Sequence, residues 1–452
     1  MSNNNAPAKP GILYPNDFSL VNLTLLTSVM TMDMKLMLTE LSYNEDLFNN
    51  TASGYLMIVD SSGFIESLNM MGNEYIRMTF GKTGDSINQI DKLFRVYKVD
   101  KRQPEGNLNT ESYSLYFCSE EILLSEQYKV SKSYRGKAIS DNISDILNTY
   151  LKVPATKIGT IEPTYGVYDF IIPNIKPLDA INFLATYARP QADKSGADMV
   201  FYEDKNGFNF RSLQSLITQP VYVNYSYEPK NITKDMNKKV YTVLTYEFMD
   251  SFDTLHAVNA GIFGNRLISV DPLLRRYKTT DFNYASYASQ NSTLNNNPII
   301  NNYKNRFSDT MVDTSEAVLK LAYTNHDQWE SPPIKNNPTS VDRDLYAETF
   351  IPYRSAQLNL LNYTRVKISV PGDPGITVGR VVNFALLSKN PKNKSPDQFY
   401  SGNYLVTAVR HLINTKEYKT MLELAKDSTT GQYAGVDNST TIWQNTVKGI
   451  MK

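Results

Sequence analysis

The stretch YNEDLFNNTASGYLMIVDSS, residues 43–62, decides the reading of this chain. Its run YLMIV (55–59) is apolar and ends at Asp60-Ser61-Ser62-Gly63, with Gly54 in front. A short apolar run between turn residues predicts a strand, here one buried on both faces. The acids Glu45 and Asp46 are neighbours, and neighbours on a strand point to opposite faces. They are therefore expected to cap a turn or bond backbone amides, not to share a substrate.

Working outward, residues 20–130 read as β structure. LVNLTLL (20–26) is rich in strand formers, and YIRMTF (75–80) alternates Ile76, Met78 and Phe80 against Tyr75, Arg77 and Thr79. FRVYKV (94–99) and YSLYFC (113–118) follow, with QPEGNLN (103–109) as a hairpin loop between them. Long β runs joined by short turns predict antiparallel pairing in a sandwich or barrel. Then the period changes. Ile139, Ile143, Ile146, Leu147, Tyr150 and Leu151 form one stripe of a helix over 138–151, stopped by Pro154. A second helix fits 177–189, with Pro177 at its first position. FYEDKNGFNFRSL (201–213) is a hairpin turning at Lys205-Asn206-Gly207. Strand-like runs return over 220–280, and 281–345 is rich in Asn, Ser, Pro and Asp, read as loops and short helices. TRVKISV (364–370) alternates cleanly, PGDPG (371–375) turns, and YLVTAVRHL (404–412) with YKTMLEL (418–424) closes as a hairpin. The tail from 426 is polar, with a short amphipathic end around Trp443, Val447 and Ile450.

Composition narrows the function. The chain has 452 residues, with 46 basic and 46 acidic side chains balancing to zero. Nucleic-acid binders carry a basic excess or stripe; the densest basic knot here, KSYRGK (132–137), is short and reads as a solvated turn. The single cysteine, Cys118, excludes an internal disulfide and reads as a buried, inert thiol. The N-terminus lacks a signal-peptide pattern, which makes the Asn-x-Ser/Thr triplets chance products, and no stretch approaches the roughly 18 apolar residues of a membrane span. Three histidines, His256, His326 and His411, lie far apart and outside any zinc or triad pattern. There is no P-loop, dinucleotide fingerprint or calcium loop. Glu120 and Glu121 form the other adjacent acid pair. No catalytic, cofactor-binding or metal-binding residue is named, no cofactor is expected, and the chain does not read as an enzyme.

Read with its continuation, residues 43–80 resemble the first domain of the baseplate central hub proteins of contractile, T-even-like phage tails. Tyr43, Glu45, Asp46, Leu47, Phe48, Gly54, Leu56, Ile58, Asp60, Ser61, Leu68, Gly72, Glu74, Ile76 and Phe80 carry the match. FIIPNIKPLDAINFLATYA (170–188) is similar to a second element of that family, and the segment 400–428 to its closing hairpin. The match is poor through 281–345.

The resemblance implies a β-dominated α+β chain: two tail-tube-like antiparallel β-barrel or sandwich domains flanking inserted α+β domains. It divides the chain into an N-terminal arm (1–19), a first tube-like domain (20–130), an α+β insert (131–220), a loop-rich second insert (221–357), a second tube-like domain (358–428) and a C-terminal tail (429–452). Three copies would form a pseudo-sixfold ring between the sixfold tail tube and the threefold central spike, part of the DNA ejection channel. The implied partners are two further copies of itself, a separate spike protein, a tail-tube or tube-initiator protein, baseplate wedge proteins and the tape-measure protein. DNA would pass without specific binding. The implied location is the virion baseplate, assembled in the bacterial host cytoplasm. Two rival readings stand beside this one. A carbohydrate-binding or glycan-degrading β protein has weak support from the 31 tyrosines. The hub of a related injection or secretion apparatus would share the fold; the sequence has no repeat for a fused needle, so the spike is expected as a separate chain.

Overall fold

Seven antiparallel strands build the first β block: β1 (Ser19–Leu26), β2 (Thr31–Asp33), β3 (Leu38–Asp46), β4 (Ser53–Asp60), β5 (Tyr75–Gly81), β6 (Ile90–Pro104) and β7 (Glu111–Cys118), with the short helix α1 (Phe64–Leu68) after β4. The computed structural model describes residues 17–68, 70–85, 88–106, 109–192, 198–227, 241–272, 275–288, 291–300, 319–323, 341–342, 348, 350–388 and 396–431. Trp443, Val447, Ile450 and His326 lie outside them. The block's strand order is β3-β4-β7-β6-β5-β1-β2. Its core holds Leu41, Tyr43, Leu56, Ile58, Met78, Phe80, Phe94 and Phe117.

The alternation of 75–80 is realised: Ile76, Met78 and Phe80 are buried, while Arg77 is exposed. YLMIV differs from expectation. Leu56 and Ile58 are buried, but Tyr55, Met57 and Val59 are only half-buried. An unbroken apolar run fits either a two-sided core strand or a strand whose second face is lightly covered, and β4 is the latter. Gly54 lies within it for a steric reason: a Cβ there would meet Ser42 O at 2.0 Å and the Phe117 ring at 2.5 Å.

The next unit contains α2 (Glu120–Gln127), β8 (Val130–Lys137), α3 (Ile139–Thr149), β9 (Ile158–Ile161), β10 (Val167–Ile175), α4 (Pro177–Ala185), β11 (Met199–Asp204), β12 (Gly207–Ser212) and α5 (Leu213–Ile217). Both expected helices form. Ile139, Ile143, Ile146 and Leu147 of α3 pack with Leu178, Ile181 and Leu184 of α4 over Phe201 and Phe208. KSYRGK is not a turn but the strand β8, antiparallel to β10, with Lys132 bound to Asp145 at 2.6 Å. The Asn-Gly turn between β11 and β12 is as read: Asp204 Oδ1 accepts the amides of Asn206 at 2.7 Å and Gly207 at 3.0 Å.

The rest of the chain adds β13 (Val223–Tyr227), β14 (Thr245–Asp250), α6 (Thr254–Asn259), β15 (Gly264–Asp271), β16 (Arg276–Asn283), α7 (Tyr284–Ala288), β17 (Asn297–Pro298), β18 (Leu319–Tyr323), β19 (Val341–Asp342), α8 (Ile351–Leu360), β20 (Arg365–Pro371), β21 (Val381–Leu386), β22 (Gly402–Asn414), β23 (Tyr418–Ala425) and β24 (Ser428–Thr429). A second β block forms around β20–β23. Strands β13 and β14, which the expected division of the chain puts within the loop-rich second insert (221–357), join it instead: β13 runs parallel to β21 and β14 antiparallel to β20. Its core contains Val366, Ile368, Val382, Phe384, Leu405, Leu422 and Leu424. A separate small sheet, β16-β15-β18, packs with α8. Among the described residues no helix is long and apolar enough to cross a membrane.

Gly54→Ala is expected to lower stability to urea by about 1–3 kcal/mol, the usual cost of overpacking. Urea unfolding followed by tyrosine fluorescence checks it, and an unchanged midpoint would mean that β3, β4 and β7 are not packed this tightly.

Candidate functional site: the seam between the β blocks

The two β blocks are one sheet. Strand β3, the end strand of the first block, pairs antiparallel with β22 of the second through seven residue pairs, from Glu40↔Asn414 to Asp46↔Ala408. A 13-stranded sheet results. β22 can do this because it is long. Along one edge its residues 402–405 pair with β21, and its residues 408–414 pair with β3. Between them the register shifts at Val406/Ala408, and Thr407 O takes the amide of Leu47 at 2.8 Å.

One face of the seam is polar. Across five strands the register lines up Glu247, Lys367, Glu423, Ala408 and Asp46. The adjacent row is Thr245, Ser369, Met421, Arg410, Asn44 and Ser53. These rows line a groove of about 750 Å³. Its cations are engaged. Lys367 pairs with Glu423 at 3.1 Å. Arg410 donates to Ser42 Oγ at 2.9 Å and Tyr55 Oη at 2.8 Å. Beyond the groove, Arg365 pairs with Asp250 at 2.5 Å and Lys98 with Asp100 at 2.6 Å.

The other face is buried. Tyr43 stacks on His411 across the seam, centroids 5.8 Å apart and planes 13° from parallel. His411 Nδ1 lies 2.8 Å from Tyr418 Oη, and burial, with Lys205 adding to it, pushes the imidazole down to about 3. It is a neutral packing group. Glu45 is buried too. Tyr43 Oη donates to its Oε1 at 2.8 Å, and the amide of Val378 donates to its Oε2 at 3.2 Å. Burial, with the negative charge of Asp204 adding to it, pushes this carboxyl up to about 8.

The acid pairs therefore do structural work. Glu45 and Asp46 point to opposite sides of β3; Asp46 Oδ1 takes the amide of Phe48 at 2.8 Å and caps the following turn. Glu120 and Glu121 are not on a strand: they open α2, where Glu120 accepts from Tyr75 at 2.6 Å and Glu121 from Lys157 at 2.6 Å. His256 sits in α6, far in sequence from His411 of β22. Among the described residues no three His, Cys, Asp or Glu side chains are grouped to hold a metal ion. Sequence reasoning missed Glu203, Lys92 and Lys205, which converge beside the seam; the hairpin around Lys205 was legible, its contacts were not.

No protein-family model matches the chain. The "Probable baseplate hub protein" of Vibrio phage KVP40 is 24% identical over 405 residues, which covers 86% of this chain and 90% of that protein. Over most of its length, then, the chain is similar to a baseplate hub protein. Two solved structures share the fold. The tail protein from Neisseria meningitidis MC58 superposes with a TM-score of 0.50 at 10% identity, covering 91% of this chain and 97% of its own. The prophage MuSo2 tail protein from Shewanella oneidensis gives 0.52 at 8% identity, covering 90% and 99%.

The buried Glu45 makes stability depend on pH. Its folded carboxyl binds a proton more tightly than an unfolded one, so its contribution is complete below the ordinary glutamate value of 4.5 and is lost as pH rises toward about 8. Glu45→Gln is expected to flatten this part of the profile. Urea midpoints of both chains between pH 5 and 9 check it; parallel profiles would show that Glu45 titrates normally.

Proposed function

We propose that the chain is the structural hub of a phage tail baseplate. Three copies close a ring that joins the sixfold tail tube to the threefold central spike and forms part of the DNA ejection channel. The observation that carries this reading is the seam: one chain holds two β blocks side by side in a single sheet, so three chains supply six wall segments. The relationship to a baseplate hub protein supports it. In this reading residues 20–130 are the first tube-like domain and 358–428, with β13 and β14 added to its sheet, the second; 131–220 and the remainder of 221–357 are the inserts, and 1–19 and 429–452 the terminal arm and tail. The groove face is the channel wall. With Lys367 and Arg410 already bonded within the sheet, the wall offers DNA few free cations and lets it slide.

The role is that of a scaffold and not of an enzyme. Its partners are two further copies of itself, a separate spike protein, a tail-tube or tube-initiator protein, baseplate wedge proteins and the tape-measure protein. Its place is the baseplate of the virion, after assembly in the host cytoplasm.

Light scattering of the purified chain, combined with negative-stain imaging, tests the ring. Three chain masses and a central opening are expected; a monomer that persists when a spike protein is added overturns the proposal. Fluorescence anisotropy with a labelled DNA duplex at physiological salt is expected to show no saturable binding, and a salt-sensitive binding curve would remove the passive-wall reading.

A further inference from the structure

The insert meets the two β blocks by different chemistry. Toward the second block the contact is apolar: Val200, Tyr202, Leu213 and Leu216 share one core with Ile376 and Val378. Toward the first block, apart from Leu47, which joins that same core next to the seam, it is polar and centres on Glu203, near the end of β11 and only 1% exposed. Glu203 Oε1 pairs with Lys92 Nζ of β6 at 3.2 Å. Its Oε2 accepts the amide of Ala52 at 2.9 Å and the hydroxyl of Ser119. Lys92 also donates to Asp204 O at 2.8 Å. Lys157 lies 3.7 Å from Glu203 while pairing with Glu121. One residue past Asp204, Lys205 donates to Pro374 O of the second block at 3.0 Å. The hairpin thus touches both blocks at once.

Apolar contact is non-directional and survives small shifts. A buried ion pair is the opposite: desolvation offsets most of its attraction, so it adds little net stability, yet it tolerates no misfit. Such a cluster has two good arrangements, fully made or fully hydrated. The first block is held on one side by the seam, with seven residue pairs between β3 and β22 and an apolar core beneath it, and on the other by this cluster.

We propose that the Glu203 cluster is a latch: closed, it holds the first β block against the insert, and open, it lets that block pivot about the β3–β22 seam. The insert moves with the second block, to which its apolar core binds it. Such a pivot changes the angle between the two wall segments of one chain.

Two measurements on the full chain test the latch. The first is native-state hydrogen exchange of the unaltered protein in rising urea. Peptides holding Ala52 and Ser119 are expected to exchange through a smaller opening, with a weaker urea dependence, than peptides covering 41–46 and 409–413. One common urea dependence overturns the proposal. The second uses Cys118, buried beside Ser119 and the chain's single thiol, as a reporter. Glu203→Gln is expected to raise its rate of maleimide labelling by about tenfold or more while the seam peptides stay protected. An unchanged rate, or a rise matched by loss of seam protection, overturns it. If that variant does not fold, exchange of the unaltered protein decides.

Discussion

Everything in this chain is arranged around the hydrogen-bonded pairing of β3 with β22. Without it the first block would end in a bare strand, and the second would leave half of β22 without a partner on that edge. Unpaired edges invite uncontrolled association. The seam removes both edges inside one chain, at the cost of closing a very long loop: the Arg410–Ser42 bond joins residues 368 positions apart. Loop closure grows only slowly with length, so the cost falls mainly on the speed of folding. The blocks, built from hairpins, can form locally; the seam has to come after them.

Register at the seam is set by what lies on each side. Leu41, Tyr43 and Glu45 face inward; Ser42, Asn44 and Asp46 face the other way, where Arg410 is bonded to Ser42 and Asp46 caps its turn. A slip of one residue would exchange the two sets. It would bury Asp46 and Asn44 and expose Tyr43. It would also separate Tyr43 from His411, and Glu45 from the amide of Val378. Glu45 is a costly residue in that place, as its raised carboxyl value shows. What it adds is direction: one acid, bonded to a tyrosine of its own strand and an amide of the other block, admits a single arrangement.

The sequence revealed what is local. The stripe of α3, the proline start of α4, the alternation of β5 and the β22–β23 hairpin all depend on residues within about ten positions of each other, and periodicity captures them. The family resemblance added an expected plan, and the likeness to a baseplate hub protein bears out the family it named. What stayed hidden is non-local. Nothing in YLMIV says that its second face lies half-open beside the seam. KSYRGK reads as polar surface, because an exposed strand with Lys132 paired to Asp145 has the composition of a turn. The parallel partner of β13 lies more than 150 residues away in sequence. Glu203 looks like any acid before a hairpin turn, and its partners Lys92, Ala52 and Ser119 come from three separate stretches of the first block.

A sheet shared by two blocks changes what a ring of three such chains must solve. Six separate wall segments would need six interfaces between copies. Two segments fused within each chain halve that number, and the fused joints are backbone pairings whose register is fixed before assembly. The remaining joints then lie between the far ends of the sheet. One end is guarded: β2 is only three residues long, and Lys35 donates to the Val21 carbonyl of β1 at 3.3 Å. The other end is β14, whose Tyr246 and Phe248 pack inward and which, among the described strands, pairs with β20 alone. A guarded edge resists strand addition. A ring closed at these ends is therefore joined between copies by side-chain packing, in contrast to the continuous ladder within each copy.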